Sequence, residues 1–472
     1  MEAALLNLVA KINGYLTDYV LILLLVGTGL WFTIKTRFVQ IRHFGEGMKK
    51  VFGNLSLRGG KNKSGLTSFQ ALATAIAAQV GTGNIVGASG AILIGGPGAI
   101  FWMWVIAFFG MATIYAEATL AQKTRVVDEN GDVHGGPVYY IKSVFKGAFG
   151  KFLSIFFAIA TVLALGFMGS MVQSNSIAES CNTAFGIPTW LTGVIIAALC
   201  AFIFIGGIQR IASVTEKMVP VMACLFLLGG LVILIVRIDT IPAVIGMIFK
   251  YAFTPSALIG GGIGAAIKTA ISQGAKRGLF SNEAGMGSTP HAHAQANVEK
   301  PHDQGVVAMI GVFIDTFIVL TMTALVVISC LYCRGGILSG LTGEAYQAAI
   351  SGPAALVSKA NAMQMASSMV FGSVGNIFVA ICLLFFALST IISWNFFGKI
   401  NVQYLCGKNE KVGTIVYSII AIVFIFLGSI LQNDLVWELT DFFNYLMVLP
   451  NVIALIALSK VVSDCAKEGK KK

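Results

Sequence analysis

The run Ala78-Gln79-Val80-Gly81-Thr82-Gly83-Asn84 decides the fold. It lies in the middle of 69–98, a stretch otherwise apolar and too long and glycine-rich for a simple helix. Glycine costs about 1 kcal/mol of helix propensity relative to alanine, and unwound backbone at membrane depth persists only where protein covers it or a cavity adjoins it. The run therefore predicts a helix broken at mid-membrane. A second stretch, 259–290, has the same character, reading Ser272-Gln273-Gly274 and then Arg277-Gly278-Leu279-Phe280-Ser281-Asn282-Glu283-Ala284-Gly285-Met286-Gly287. Its interruption is expected within this run, in which Gln273-Gly274 lies about 194 residues after Gln79-Val80-Gly81.

Around these runs the chain is made of apolar spans. Of 472 residues 56% are apolar and only 11% charged, against about 25% charged in a soluble domain, so a soluble globule could not cover its own surface. Segments 19–33, 152–171, 219–236, 310–331, 377–394 and 415–431 are nearly uncharged and of bilayer length or close to it. Lipid offers no partner for a free amide, so each is expected to be helical; the short alternating segments of a lipid-facing barrel do not occur. Helices are predicted near 18–34, 66–93, 98–122, 152–178, 189–206, 214–236, 257–290 (broken), 305–332, 374–397, 413–431 and 436–459. The fold class is an all-α polytopic membrane protein with 11 transmembrane helices, two of them discontinuous.

With the N-terminal helix set aside as peripheral, the broken spans are core helices one and six of ten. The second set of five then enters the membrane from the opposite side, as a 5+5 inverted repeat requires. The expected organisation is a peripheral helix and basic loop over 1–64, a first repeat over 65–237, a second over 238–460 and a basic tail over 461–472.

Lys and Arg fall in alternate loops, 26 on one side against 5 on the other. The positive-inside rule then places the N-terminus outside and the C-terminus in the cytoplasm. The net charge of +11 thus serves topology and anionic membrane lipid rather than nucleic acid. Glu2 and Lys11 precede the first span with no small-residue cleavage site after it, so that span is read as a permanent helix of a multi-pass cell-membrane protein. Most of the eight cysteines lie inside apolar spans as small hydrophobes; Cys330 and Cys333 have a redox-like spacing but no strand-helix context, and a structural role is expected.

A broken helix offers free amides at one half-helix end and free carbonyls at the other. The amide end suits a carboxylate, the carbonyls a cation or ammonium. Gly81 and Gly83 let a ligand approach the backbone, and Gln79, Thr82 and Asn84 add neutral donors and acceptors, a pocket for a small zwitterion. Close helix packing alone would explain the glycines, but not polar residues in mid-bilayer. The pattern Gly81-x-Gly83 with Gly87 is no dinucleotide fingerprint, having no preceding strand. Later, Thr390 and Trp394 stand one turn apart on one helix face. A hydroxyl there suits sodium and an indole could close a small pocket, the bland alternatives being back-bonding of Thr390 to its own helix and an interfacial indole. The intramembrane carboxylates Glu117, Asp315, Glu283 and Asp441 are candidates for structural or gating roles, Glu117 and Asp315 equally for pairing with loop cations. His291 and His293 lack further ligands at metal spacing, so no zinc site is expected there, and no Ser, His and Asp arrangement suggests an enzyme.

The runs Gly95-Gly96-Pro97-Gly98-Ala99-Ile100-Phe101-Trp102-Met103-Trp104, continuing to Gly110-Met111 and Glu117, His134-Gly135-Gly136-Pro137, and Arg277 through Ser281-Asn282-Glu283-Ala284-Gly285-Met286-Gly287-Ser288-Thr289-Pro290 resemble the signature of the alanine or glycine:cation symporters. The likeness covers nearly the whole chain. It implies a LeuT-like core plus one peripheral helix, moving a small neutral amino acid with co-transported sodium. Val80 to Asn84 and Phe385 to Thr390 also match runs of the more distant neurotransmitter-type sodium symporters. By that similarity the carbonyls of Ala77, Val80 and Ala387 with the Thr390 hydroxyl would ligate sodium. Substrate would meet Gln79, Gly81, Thr82, Gly83, Asn84, Phe280 and Trp394, together with Gln273 and Asn282. The distant family often has a second hydroxyl after its helix-eight threonine, where this chain has Ile391.

The function expected is sodium-coupled symport of alanine or glycine by a chain acting as a monomer. A proton-coupled carrier would need a titratable group in a pocket that reads as neutral. An ion channel would need a ring of groups from several subunits, and a membrane-embedded enzyme would have to form product.

Overall fold

Helices account for most of the described chain. The computed structural model describes residues 2–53, 66–129, 131–205, 207–352 and 355–468; positions 54–65 of the expected basic loop and 469–472 of the basic tail lie outside the described residues. In chain order come α1 (Ala4–Lys35), α2 (Phe44–Phe52), α3 (Ser68–Gln79), α4 (Gly83–Gly95) and α5 (Ala99–Thr124). A two-residue hairpin of β1 (Val126–Val127) and β2 (Val133–His134) leads to α6 (Pro137–Val144). Then follow α7 (Gly147–Phe185), α8 (Thr189–Phe204), α9 (Gly207–Val236), α10 (Ile241–Phe253), α11 (Ile263–Asn282) and α12 (Pro290–Ala294). The chain closes with α13 (Pro301–Tyr332), α14 (Gly343–Ile350), α15 (Ala362–Phe371), α16 (Ser373–Cys406), α17 (Glu410–Ile430), α18 (Asn433–Ala457) and α19 (Ser459–Glu468).

Among the described residues seven helices are long and apolar enough to cross a membrane, eight when the bent pair α3 and α4 counts as one span. Eleven were expected, and three of the predicted segments do not count as separate spans here. α8 is apolar but short, α11 carries Lys268, Lys276 and Arg277, and α16 runs almost directly into α17, so that Ser373–Ile430 counts as one span of 58 residues.

Two packing groups divide the bundle. α5 packs along α13 and α11, while α7, α16 and α17 pack on one another. α1 leans on α5 and α18 from outside, with Gly29 so close to Phe109 that a Cβ would lie 2.6 Å from its Cβ. α9 is the most peripheral of the long spans: only 28% of its apolar window is buried, and Leu228, Ile235 and Val236 face outward as lipid-facing side chains do.

The first break falls where the sequence places it. Thr67 starts α3 with a capping box, accepting from the Gln70 amide while the Gln70 side chain accepts from its own. α3 ends at Val80, which turns extended at φ −80° and ψ 90°, and α4 restarts at an angle of 46°.

The second break falls at the far end of its run. α11 runs unbroken across Ser272-Gln273-Gly274. Gly274 is there for close packing, since a Cβ on it would come 2.6 Å from Trp102 Cβ and 2.9 Å from the Ala99 carbonyl. The helix stops only after Asn282. Glu283 takes a left-handed conformation at φ 58°, Gly285 and Gly287 stand at φ 94° and 80°, and Pro290 opens α12 where its missing N–H costs nothing. Glu117 on α5 holds this turn: its carboxylate accepts from the amides of Gly285 at 3.1 Å and Gly287 at 2.9 Å and from Asn451 Nδ2 at 2.6 Å. The sequence left open a pairing of Glu117 with a loop cation; its partners are main-chain amides and an amide side chain instead.

Lys276 and Arg277, counted with a basic loop in the sequence, lie inside α11. They pair with Asp441 of α18 at 2.9 and 3.2 Å, and Lys276 also with Glu438 at 2.9 Å. Burial of Asp441 explains why two cations converge on it. All eight cysteines are free, Cys330 and Cys333 buried among them.

Replacing Glu117 by Leu leaves three buried donors without an acceptor, at about 1 kcal/mol or more each. The purified variant should melt several degrees below the parent in detergent; an equal melting temperature would mean that the turn after α11 holds itself.

Candidate functional site

Where α3 gives way to α4, the main chain has lost its helical partners and side chains have replaced them. Asn84 Oδ1 accepts from the Gly81 amide at 2.9 Å. Gln173 on α7 reaches across with Oε1, accepting from the Thr82 amide at 3.0 Å and the Thr82 hydroxyl at 2.6 Å. That double contact fixes the Gln173 amide and leaves its Nε2 a buried donor with no protein partner. A buried amide donor costs free energy unless something accepts from it, and beside the N-terminal end of α4 the fitting acceptor is an anionic oxygen.

On the other side of Gly81 lies a cluster of oxygens. Thr390 Oγ1 on α16 stands 2.9 Å from the Ala77 carbonyl, 3.5 Å from that of Val80 and 3.0 Å from that of Phe386. Ser389 Oγ lies 2.8 Å from the Phe386 carbonyl and 3.4 Å from that of Ala77. Two hydroxyl protons thus face three carbonyls, two of which end a broken helix. Such a set of hard, neutral oxygens has the chemistry to hold a sodium-like cation. Ala387 is fully buried in the same turn of α16. Gly81 is required here, because a Cβ would collide with the Thr390 hydroxyl.

The second break is fastened to the first. Gln79 Nε2 donates to the Asn282 carbonyl at 2.8 Å. Asp315 on α13 gathers both, accepting from Asn84 Nδ2 at 2.6 Å, from Ser281 Oγ at 2.9 and 3.1 Å and from Thr316 Oγ1 at 2.8 Å. Asn282 Nδ2 reaches Thr316 at 3.3 Å. Glu283 accepts from Trp394 Nε1 at 2.5 Å and from the Ser288 hydroxyl. Both carboxylates are fully buried and meet neutral donors. The pocket that the sequence reads as neutral therefore has two acidic side chains at its edge.

Aromatic rings close the site toward one end of the bundle. Phe280 packs edge-on against Trp394, centroids 5.8 Å apart, and against Trp437 at 4.8 Å; a Cβ on Gly83 would come 2.9 Å from the Phe280 ring. Arg277 lies 4.5 Å and Lys359 5.3 Å from the Trp437 ring, and Lys359 pairs with Asp434 at 2.8 Å. Beyond Lys359 opens a cleft of about 790 Å³, lined by Gly90, Leu93, Ile259, Thr269 and Gln347 among others.

Of the residues expected from sequence to meet substrate, Gln79, Gly81, Thr82, Gly83, Asn84, Phe280, Asn282 and Trp394 line the two breaks. Gln273 does not join them: it sits higher on α11, its Cβ near Gly95. Asn84 is spent on the break itself and on Asp315. Ala77, Val80 and Thr390 come together, and Thr390 also makes the back-bond to its own helix. Ser389, on the other side of Thr390 from Ile391, supplies the neighbouring hydroxyl. Sequence reasoning missed Gln173, Ser281 and Ser389 as site residues. A glutamine amid the apolar span 152–178 was the available signal for the first. His291 and His293 are buried between Ser288, Asn401 and Gln304 as bonded core histidines.

A sequence model of the sodium:alanine symporter family matches residues 2–472. "Sodium/alanine symporter AgcS" of Methanococcus maripaludis is 41% identical over 458 residues, covering 97% of this chain and 95% of that protein. "Putative sodium/proton-dependent alanine carrier protein YrbD" of Bacillus subtilis is 39% identical over 456 residues, covering 96% and 90%. Among solved structures, MhsT in complex with L-phenylalanine superposes with a TM-score of 0.56 at 16% identity, over 86% of this chain and 100% of that one, a likeness of fold.

Replacing Thr390 by Val removes one of the converging oxygens at unchanged volume. If the cluster holds sodium, the parent should melt higher in sodium chloride than in choline chloride and the variant should lose most of that difference; an undiminished difference in the variant would place the cation elsewhere.

Proposed function

Because the chain belongs to the sodium:alanine symporter family, whose members are transporters rather than enzymes, we propose that it carries a small neutral amino acid, alanine or glycine, into the cell together with sodium. The observation that carries this reading is the pairing of poles about Gly81. Carbonyls of Ala77 and Val80 with the hydroxyls of Thr390 and Ser389 lie on one side, and the Thr82 amide with the unpartnered Gln173 donor on the other. A cation and a carboxylate both find their chemistry within one turn of unwound chain.

In this reading sodium draws the end of α3 against α16, which completes the amino-acid site between the two breaks. Gln79, Gly81, Thr82, Gly83 and Asn282 surround the zwitterion, and Phe280 and Trp394 limit the size of its side chain. Gln273 belongs to the approach from the cleft rather than to the bound substrate. The eleven-span topology, with α1 peripheral and a LeuT-like 5+5 inverted repeat over 65–237 and 238–460, supplies the alternating access. The group α3, α4, α5, α11, α12 and α13 rocks against α7, α8, α16 and α17. The N-terminus and the cleft face outward, the C-terminus faces the cytoplasm, and the chain acts as a monomer in lipid.

A second reading rests on Asp315 and Glu283. Asp315 accepts from residues of both breaks, so a proton taken up there would alter the same hydrogen bonds that sodium orders. The name of the YrbD relative includes both ions.

Uptake of labelled alanine into proteoliposomes separates the two. An inward sodium gradient should drive accumulation, whereas equal uptake under lithium, potassium or proton gradients would remove sodium from the account. Uptake driven by a proton gradient without sodium, and lost in Asp315→Asn, would establish the second reading. Gln79→Ala and Trp394→Ala should each lower alanine affinity at least tenfold, on the order of 1.4 kcal/mol, with the fold intact; unchanged affinity would move the substrate site.

A further inference from the structure

At the end of the bundle opposite the cleft, the segment after α1 folds back as α2 and lies along the start of α13. A Cβ on Gly47 would stand 2.7 Å from Ile310 Cγ1, so the two helices touch backbone to side chain. Three ligand-type side chains meet at this contact. His43 precedes α2 and Glu46 lies in its first turn, three residues apart and on one face; His302 is the second residue of α13. His43 Nδ1 is 2.8 Å and His302 Nε2 3.5 Å from the same oxygen, Glu46 Oε2. The ligand atoms all lie within 4.8 Å of one another.

We propose that His43, Glu46 and His302 form a binding site for a zinc-class divalent transition metal that ties α2 to the first turn of α13. Two imidazole nitrogens and one carboxylate oxygen are the donors zinc takes; magnesium and calcium would require oxygens throughout. Zinc bound at about 2 Å from each ligand holds them roughly 3.3 Å apart; Glu46 Oε2 already stands 2.8 and 3.5 Å from the two nitrogens, and the set, within 4.8 Å, has only to draw in around the ion. The second ring nitrogen of His302 is fixed as metal sites require: Nδ1 is 2.7 Å from the Tyr115 hydroxyl on α5. A proton on Nδ1 given to that oxygen leaves the Nε2 lone pair aimed at Glu46. The other carboxylate oxygen, Oε1, is turned to Lys50 at 3.8 Å, and Lys50 pairs with Asp303 of α13 at 3.1 Å. The Glu46 side chain is 34% exposed and that of His302 1%, so an ion enters from the Glu46 side and a water completes the fourth position.

α13 belongs to the group packed on α5 and α11. A metal fastening α2 to its first turn therefore adds a tether to the part of the molecule that rocks, and bound zinc should slow uptake. That last consequence rests on the proposed transport function; the binding site does not.

The test uses the full-length protein in detergent, freed of any polyhistidine tag, stripped with chelator and titrated with zinc chloride, with cobalt as a spectroscopic probe. One equivalent should bind saturably, and cobalt should give the visible bands of a low-symmetry nitrogen and oxygen site. His43→Ala and Glu46→Gln should each weaken binding about tenfold or more, and Tyr115→Phe about ten- to a hundredfold. His134→Ala, at the separate His134 and Asp128 pair, should leave it unchanged. His302→Asn is buried; should it fail to fold, the two partly exposed variants decide. Absence of saturable zinc binding, or binding equally tight in His43→Ala and Glu46→Gln, would overturn the site. Zinc binding at the site without any change in alanine uptake would keep the metal centre and remove its effect on rocking.

Discussion

A main-chain amide or carbonyl inside a lipid bilayer has to find its partner within the protein, and the rest of this molecule is arranged around that requirement. Two helices stop in the interior. Asn84 and Gln173 take the amides freed at the first stop, and Glu117 takes those at the second. What these side chains leave over, the carbonyls of Ala77 and Val80 and one donor of Gln173, is polar capacity that a ligand can use. Stability and binding are in this sense the same account.

The two stops are not independent. Gln79 bonds to the chain end at Asn282, and Asp315 accepts from Asn84 on one broken helix and Ser281 on the other. A displacement of either half-helix is thereby felt by its counterpart. On the far side, α16 contributes Thr390 to the first stop and Trp394 to the second. A single continuous helix thus contacts both, and its side chains report on which halves are in place.

The first break was legible because its cause is local: glycines and polar residues interrupt an apolar run, and the chain breaks there. Within the second run the exact stop was harder to read, for an equally physical reason. Gly274 and Gly278 look like helix breakers in sequence, but Gly274 packs against Trp102 and Ala99, and only tertiary contact reveals that. The true stop is set by Gly285, Gly287 and Pro290, whose torsions a sequence shows less plainly. The convergence of oxygens from Ala77, Val80 and Thr390 was legible through a resemblance, whereas that of Ser389 was not, because the resembling pattern carries its second hydroxyl after the threonine, where this chain has Ile391. Gln173, Glu117 and Asp315 act across more than ninety, a hundred and sixty and two hundred and thirty residues of chain. No local pattern encodes such pairings. The acidic edge of the pocket was hidden in the same way.

The aromatic layer over the site has a practical corollary. Two of the six tryptophans, Trp394 and Trp437, flank Phe280; one indole donates to a carboxylate and the other lies close to two cations. Indole emission is sensitive to nearby charge and to water, so opening or filling this region must change the intrinsic fluorescence of the unmodified chain. The region carries its own optical reporter, with no dye and no engineered cysteine.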